Sequence, residues 1–323
     1  MNIIKHKIIR LGILGTGWAA NKIAETIQKT NSNFSIFTVG SRNKENGQKF
    51  AAQYNIPNIY NYDELLSDSQ IDLVYIALPN NLHYEYAKKA LLNNHNVLVE
   101  KPMTLSYNET KELLELAKSK NLFIIEGLWI QFLPIIHKIK TIIDNGIIGE
   151  VKHLSASLSY PIENNYRIYN AEYGGGALYD LGIYCIGFCQ YILGNDIKNI
   201  SVNPIIRHGV DVYDNILLEY NNAVANLTCS VFYTDKRLAT ISGTKGFIVL
   251  DSIGFPIKFE IYDNDYKLLD SVYTQQITGY EFELQECHNA IINKQIETKS
   301  LSHDEILANI KVMESIRNDY KKY

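Results

Sequence analysis

The chain has 323 residues, 46% of them apolar, and 31 Lys and Arg against 35 Asp and Glu give a net charge of −4. That length favours two domains with separate cores. With no basic excess and no long run of one sign, the sequence excludes an electrostatic nucleic-acid footprint, so an anionic ligand must be held by local groups.

Over residues 8–125, short apolar runs alternate with amphipathic segments. The pattern predicts strands at 8–14, 34–39, 72–78, 97–99 and 122–125, and helices at 19–30, 44–54, 82–93 and 107–119. Continuous apolar strands separated by helices mean a parallel sheet covered on both faces, and right-handed crossovers make it doubly wound. Near residue 127 the pattern changes. A helix at 133–144 and a turn at 146–149 lead into half-exposed strands at 154–160, 197–207, 211–220, 223–233, 238–242, 247–250 and 257–262. These favour a large open, mostly antiparallel sheet. An apolar helix at 178–193 interrupts the strands, and helices at 281–293 and 304–319 close the chain. The fold class is therefore α/β. Residues 1–126 form a dinucleotide-binding domain and residues 127–323 a substrate-binding α/β domain, with the last helix able to pack back on the first.

No apolar run reaches the ~18 residues of a membrane span. The 123–143 stretch contains Glu126, Gln131, Pro134, His137, Lys138 and Lys140, while 178–193, apolar apart from Asp180 and Gln190, reads as a buried helix. Lys5-His6-Lys7 runs directly into strand-like sequence rather than a secretory signal, so a soluble cytoplasmic protein is expected. The four cysteines, Cys185, Cys189, Cys229 and Cys287, form no CxxC pair. They read as buried thiols of a reducing compartment, and no metal site is expected.

Gly15-Thr16-Gly17-Trp18-Ala19-Ala20 joins the first strand to the first helix. Gly15 permits the tight turn, Gly17 lets the backbone approach a pyrophosphate, and the small Ala20 lets helix and strand pack. The helix N-terminus then offers free N–H groups to the phosphates. After the second strand, where an NAD site usually places an acid for the ribose hydroxyls, stand Ser41, Arg42 and Lys44. A guanidinium suits a 2′-phosphate, so NADP is expected over NAD.

Glu100-Lys101-Pro102 follows the 97–99 strand at the sheet edge where ligands of such sheets bind. Downstream, Gly174-Gly175-Gly176 precedes the apolar helix that carries Asp180 and Tyr184, four residues apart and so on one face. A carboxylate in an apolar helix needs a partner.

With these segments, the chain resembles the Gfo/Idh/MocA oxidoreductases over nearly its full length, and within them the dihydrodiol and NADP-dependent aldose dehydrogenase branch. The resemblance is carried by the Gly15 turn, Pro79-Asn80-Asn81-Leu82-His83, Glu100-Lys101-Pro102, Trp129-Ile130-Gln131-Phe132-Leu133-Pro134, Arg167-Ile168-Tyr169-Asn170 and the Tyr184 segment. Many members have His at the position of Tyr184; this branch is similar to the chain in using Tyr. Gln131 stands where the branch often has Arg, and Ala171 where Pro is frequent.

The resemblance implies a nicotinamide-dependent dehydrogenase or reductase acting on an aldose, polyol or dihydrodiol. Its catalytic residues would be Lys101, Tyr184 and Asp180. Cofactor binding would fall to Gly15, Thr16, Gly17, Trp18, Ala20, Ser41, Arg42, Pro79, Asn80, His83, Glu100 and Lys101, with capping or packing of its helix the stronger reading for His83. Trp129 either walls the site or sits in the core. Arg167 and Asn170 either bind substrate hydroxyls or tie down their loop, and Tyr280 either lines the pocket or packs a helix start. Tyr184 would be the acid/base, made more acidic by the Lys101 ammonium; Lys101 could also bond the substrate oxygen, and Asp180 orient Lys101 or a substrate hydroxyl. The open sheet implies a homodimer or homotetramer. An inositol-type dehydrogenase and a non-catalytic dinucleotide-binding sensor are the alternatives.

Overall fold

The computed structural model describes residues 7–30, 32–162 and 165–322; Lys5 and His6 lie outside them. The chain divides into two compact units. One takes in residues up to Thr104, Asn108–Trp129 and Ile277–His303; the other takes in Leu105–Tyr107, Ile130–Gln276 and Asp304–Tyr323.

The first unit is built on six parallel strands: β1 Ile9–Leu14, β2 Phe34–Gly40, β3 Asn58–Tyr60, β4 Leu73–Ile76, β5 Asn96–Glu100 and β6 Ile124–Gly127. Their order is β3-β2-β1-β4-β5-β6, so the strand order reverses between β1 and β4. Helices α1 Trp18–Lys29, α2 Lys44–Tyr54, α3 Tyr62–Ser67, α4 His83–Leu92 and α5 Tyr107–Lys120 connect or follow the strands. Ile9, Leu11, Ile13 and Leu14 of β1 have no exposed surface, as a strand buried on both faces requires. Each such side chain stabilises the core by roughly 1.5–3 kcal/mol. The helix Tyr280–Ile292 joins this unit, where its His288 Nε2 lies 3.0 Å from the Lys7 carbonyl oxygen.

The expected elements form, with ends shifted by a few residues. Two in this unit were not expected, β3 and α3. Both are too short to show periodicity, but α3 opens on a reciprocal capping box between Asn61 and Glu64, a signature readable in the sequence.

The second unit holds an eight-stranded sheet of β7 Val151–Ser159, β8 Asn199–Arg207, β9 Val210–Glu219, β10 Val224–Ser230, β11 Ala239–Gly243, β12 Gly246–Leu250, β13 Lys258–Asp263 and β14 Leu268–Tyr273. The order is β14-β13-β12-β11-β7-β10-β9-β8. Only β7 and β10 pair in parallel; the other neighbours are antiparallel. β14 was not expected, because this edge strand buries no residue and so shows no alternation. Helices α6 Pro134–Asp144, α7 Ile183–Leu193 and α9 His303–Asp319 follow, with Tyr280–Ile292 as α8.

The start of the apolar helix departs from expectation. Leu178–Gly182 is a π turn and α7 begins only at Ile183, so Asp180 and Tyr184 lie on different helical geometries. The helical stretch Ala171–Leu193 is long and apolar enough to cross a membrane by length and composition, but 83% of its apolar 18-residue window is buried inside the protein, as for a core helix.

Candidate active site

Gly15 has φ +107, and a Cβ there would lie 2.4 Å from the Ala77 carbonyl oxygen; glycine is required where β1 turns past the end of β4. Gly17 is the N-cap of α1. It has no capping side chain, and a Cβ on it would meet nothing within 4 Å. The space beside the Gly17 backbone is therefore open at the point where the strand order reverses. This fits the pyrophosphate of a dinucleotide. Trp18 is exposed, with the Lys22 ammonium 5.7 Å from its ring centre, while Ala20 is buried against the unit. Thr16 lies within this turn, and its carbonyl oxygen accepts from Asn21 Nδ2 at 3.3 Å.

At the end of β2, Ser41 Oγ donates to the Asn43 carbonyl oxygen at 2.8 Å. Arg42 borders an open groove of about 540 Å³ shared with Tyr62, Tyr86 and the start of α3. Burial raises the Tyr62 phenol, and the Arg42 guanidinium beside it draws it back down.

Lys101 is half-buried on the turn after β5, and its peptide bond to Pro102 is cis. Buried groups brace that turn. His83 has no exposed surface, and its ring nitrogens lie 2.8 Å from the carbonyl oxygens of Pro102 and Leu78, so it clamps the loop following Pro79 to the lysine turn. Asn80, at the head of that loop, is buried. Glu100 Oε1 accepts from the Tyr75 hydroxyl at 2.5 Å. Burial pushes the Tyr75 phenol well up, and Glu100 pushes it further. Two more acids stand here that the sequence reading did not single out: Glu126 at the end of β6, and Glu283 on α8. Burial lifts Glu126 to about 7 and pushes Glu283 well above the usual carboxyl range. Trp129 and Tyr280 are both buried and stack with ring centres 5.2 Å apart at 23°. A Cβ on Gly279 would strike the Trp129 ring at 2.4 Å, so glycine is what admits this stack.

In the second unit, Arg167 Nη2 donates to Asp180 Oδ1 at 3.0 Å, joining two residues singled out separately from the sequence. Asn170 Oδ1 accepts from the Glu172 N–H at 2.9 Å and so caps the turn before the glycines. Tyr184 is 9% exposed at the start of α7. Gly175 and Gly176 permit close approach: a Cβ on Gly175 would lie 2.4 Å from the Ile168 carbonyl oxygen, and one on Gly176, at φ +116, would lie 2.2 Å from Asp211 Oδ1.

Asp211 and Asp214 of β9, both buried, form the floor of this region and were not foreseen. The register shift opposite Ile205 and Ile206 leaves Val212 as an extra residue, which lets both carboxyls turn inward. Asp211 Oδ2 accepts from Leu178 N–H at 2.6 Å and holds the start of the π turn. Asp214 accepts from the Tyr320 hydroxyl at 2.8 Å and from the Cys229 thiol. Burial and the neighbouring Asp211 push Asp214 well up. The signal available in the sequence was two acids at the start of a strand whose neighbouring Val210 and Val212 are apolar.

A Rossmann sheet with an uncapped glycine turn and a lysine at the carboxyl edge defines a nicotinamide-binding oxidoreductase scaffold. Comparison with known proteins agrees. A family model described as oxidoreductase family, NAD-binding Rossmann fold (GFO_IDH_MocA) matches residues 9–128, and the GFO/IDH/MocA C-terminal domain matches residues 136–249. A trans-1,2-dihydrobenzene-1,2-diol dehydrogenase of Mus musculus is 30% identical over 258 residues, covering 78% of each chain. The scyllo-inositol 2-dehydrogenase (NADP(+)) IolU of Bacillus subtilis is 29% identical over 320 residues, covering 96% of each. KijD10, a 3-ketoreductase from Actinomadura kijaniata solved with NADP and TDP-benzene, superposes with a TM-score of 0.86 at 22% identity, over 96% of this chain and 97% of the other. The chain belongs to the Gfo/Idh/MocA family of oxidoreductases.

Proposed function

We propose that this protein is an NADP-dependent dehydrogenase or reductase. It moves a hydride between the nicotinamide and a CH–OH or C=O carbon of a small polyhydroxylated substrate: an aldose, a polyol or a dihydrodiol. The observation that carries the proposal is the uncapped N-terminus of α1 behind the Gly15 turn, in the same sheet whose β5 edge presents Lys101. The substrate class draws on relatives named for diol and inositol dehydrogenation, and the inositol relative is named for NADP. Arg42, in place of an acid after β2, supports the 2′-phosphate.

When bound, the cofactor supplies or takes up the hydride. The proton and the geometry fall to the protein. Tyr184 takes the hydroxyl proton in oxidation and returns it in reduction, and Lys101 acts on the same substrate oxygen as a cation that favours the phenolate. Asp180, paired with Arg167, fixes the approach to Tyr184 from its own helix. Gln131 and Ala171, which depart from the branch pattern, bear on which substrate is taken. The open face of the eight-stranded sheet, where Phe247 and Tyr262 stack with ring centres 4.9 Å apart, is proposed to pair copies of the chain into a dimer or tetramer.

The deciding experiment is an NADP⁺-reduction screen over aldoses, polyols and cyclic diols, run beside NAD⁺. Turnover with NADP⁺ on at least one class is expected. Cofactor binding without turnover on any of them would instead establish a sensor.

A further inference from the structure

Three carboxyls, those of Glu100, Glu126 and Glu283, gather behind one ammonium in the first unit. They differ in how each is satisfied. Glu100 accepts the Tyr75 hydroxyl, which favours its charged form. Glu283, on α8, is fully buried and neither of its oxygens has a hydrogen-bond partner among the described residues. Burial beside Glu100 holds it neutral.

Glu126 lies between these cases. It is 2% exposed at the carboxyl end of β6. Its Oε1 accepts from the Met103 N–H at 2.6 Å, while Oε2 has no partner among the described residues. One oxygen is thus satisfied as in a carboxylate and the other as in a neutral acid. Burial raises the group to about 7; the Met103 N–H and the Lys101 charge draw it back, and Glu100 pushes it up. The charged and titratable groups around it are Lys101 and Glu100 at the end of β5. Behind Glu100 stand Tyr75 from β4 and Glu283 from α8, and His83 from α4 holds the same turn through Pro102.

We propose that Glu126 is a positioning residue for Lys101. Its carboxyl holds the 101–103 turn through the Met103 amide and, when ionised, is the buried counter-charge that keeps the lysine an ammonium. Glu100 accepts from Tyr75, and burial pushes Glu283 well above the usual carboxyl range. Glu126 is therefore the member of the cluster whose charge changes over the range in which an alcohol dehydrogenation runs.

The kinetic part of this inference rests on the role proposed for Lys101; the chemical part does not. Glu126→Gln separates a structural role from the electrostatic one, because the amide oxygen still accepts from Met103 while the charge is lost. The full-length protein, as wild type, Glu126→Gln and Glu126→Asp, is treated with a limiting amine-acylating reagent between about pH 6 and about pH 9. Modification of Lys101 is read by mass spectrometry against exposed lysines. Glu126→Gln is expected to label Lys101 about three- to tenfold faster at the alkaline end, and Glu126→Asp to return labelling towards the wild-type rate. In turnover, wild-type kcat is expected to show an inflection near pH 7 that Glu126→Gln lacks. Identical Lys101 labelling curves in wild type and Glu126→Gln would overturn the proposal. If neither variant folds, the wild-type curve decides: a step in Lys101 labelling near neutrality supports the counter-charge, and a single smooth ionisation overturns it. A labelling difference without turnover on any substrate would strike down the proposed dehydrogenase activity alone.

Discussion

Two groups of buried acids lie behind the two candidate catalytic segments, and they are provided for differently. Around Lys101, Glu100 accepts from a phenol, Glu126 accepts from a backbone amide beside the Lys101 charge, and Glu283 is buried next to Glu100. Beneath the π turn, Asp211 and Asp214 are matched to donors that carry no full charge: a backbone N–H, a phenol and a thiol, with Arg317 acting on Asp211 from further off. The first group balances its charge with a side chain that the chemistry is proposed to use. The second uses its acids to seat a helix. Perturbing the first should therefore alter pH behaviour and rate, and perturbing the second should alter the fold of its own unit.

The sharpest test of that contrast is on the proposed reacting groups. Lys101→Met and Tyr184→Phe should each lower kcat by ~10²–10⁴ while leaving NADPH binding, followed by fluorescence titration, nearly unchanged. Near-normal turnover of Tyr184→Phe would remove the tyrosine from proton transfer. Next in size is Gly176→Ala. It places a methyl group 2.2 Å from Asp211 Oδ1 at φ +116, and should cost about 2–4 kcal/mol in urea denaturation with no new pH dependence.

The third prediction concerns Glu126 and stability. Its folded-state pKa is raised from 4.5 to about 7, so the folded protein holds a proton that the unfolded chain has released within that window. The stability contributed by Glu126 is therefore full below pH 4.5 and is lost as pH rises towards about 7, by up to about 3 kcal/mol. Glu126→Gln should remove that slope, measured as urea midpoints at about pH 5 and about pH 8. A slope unchanged by the substitution would place the titration elsewhere, for example on the Asp211 and Asp214 pair. The smallest effect is Arg42→Ala, expected to raise KM for NADP⁺ by ~10–100-fold with little change for NAD⁺. A wild type that prefers NAD⁺ would refute the 2′-phosphate role.

Much of this molecule was legible in its sequence, for identifiable reasons. The parallel sheet announced itself because central strands such as β4 are apolar on every residue, and the open sheet because its strands alternate. The glycine turn and Lys101 could be placed because their positions at strand ends follow from topology. What escaped was of two kinds. Elements without a periodic signal, such as α3 and the exposed edge strand β14, offered only a capping box or nothing. Charges hidden by tertiary structure escaped as well. Glu126 reads in the sequence as a polar break in an apolar run, and Asp211 reads as a strand start. Their burial depends on a bulge, a glycine and a neighbouring turn that no local pattern encodes. The π turn at Leu178–Gly182 belongs here too, since its residues suit an ordinary α-helix equally well.

The hydroxyl of Tyr320 reaches Asp214 from the short helical turn that follows α9. A removal of residues 320–323 would leave Asp214 without that donor and admit water beneath the strand floor, where Asp211 in turn supports Leu178. Tyr320 thus bears directly on the seat of the tyrosine helix.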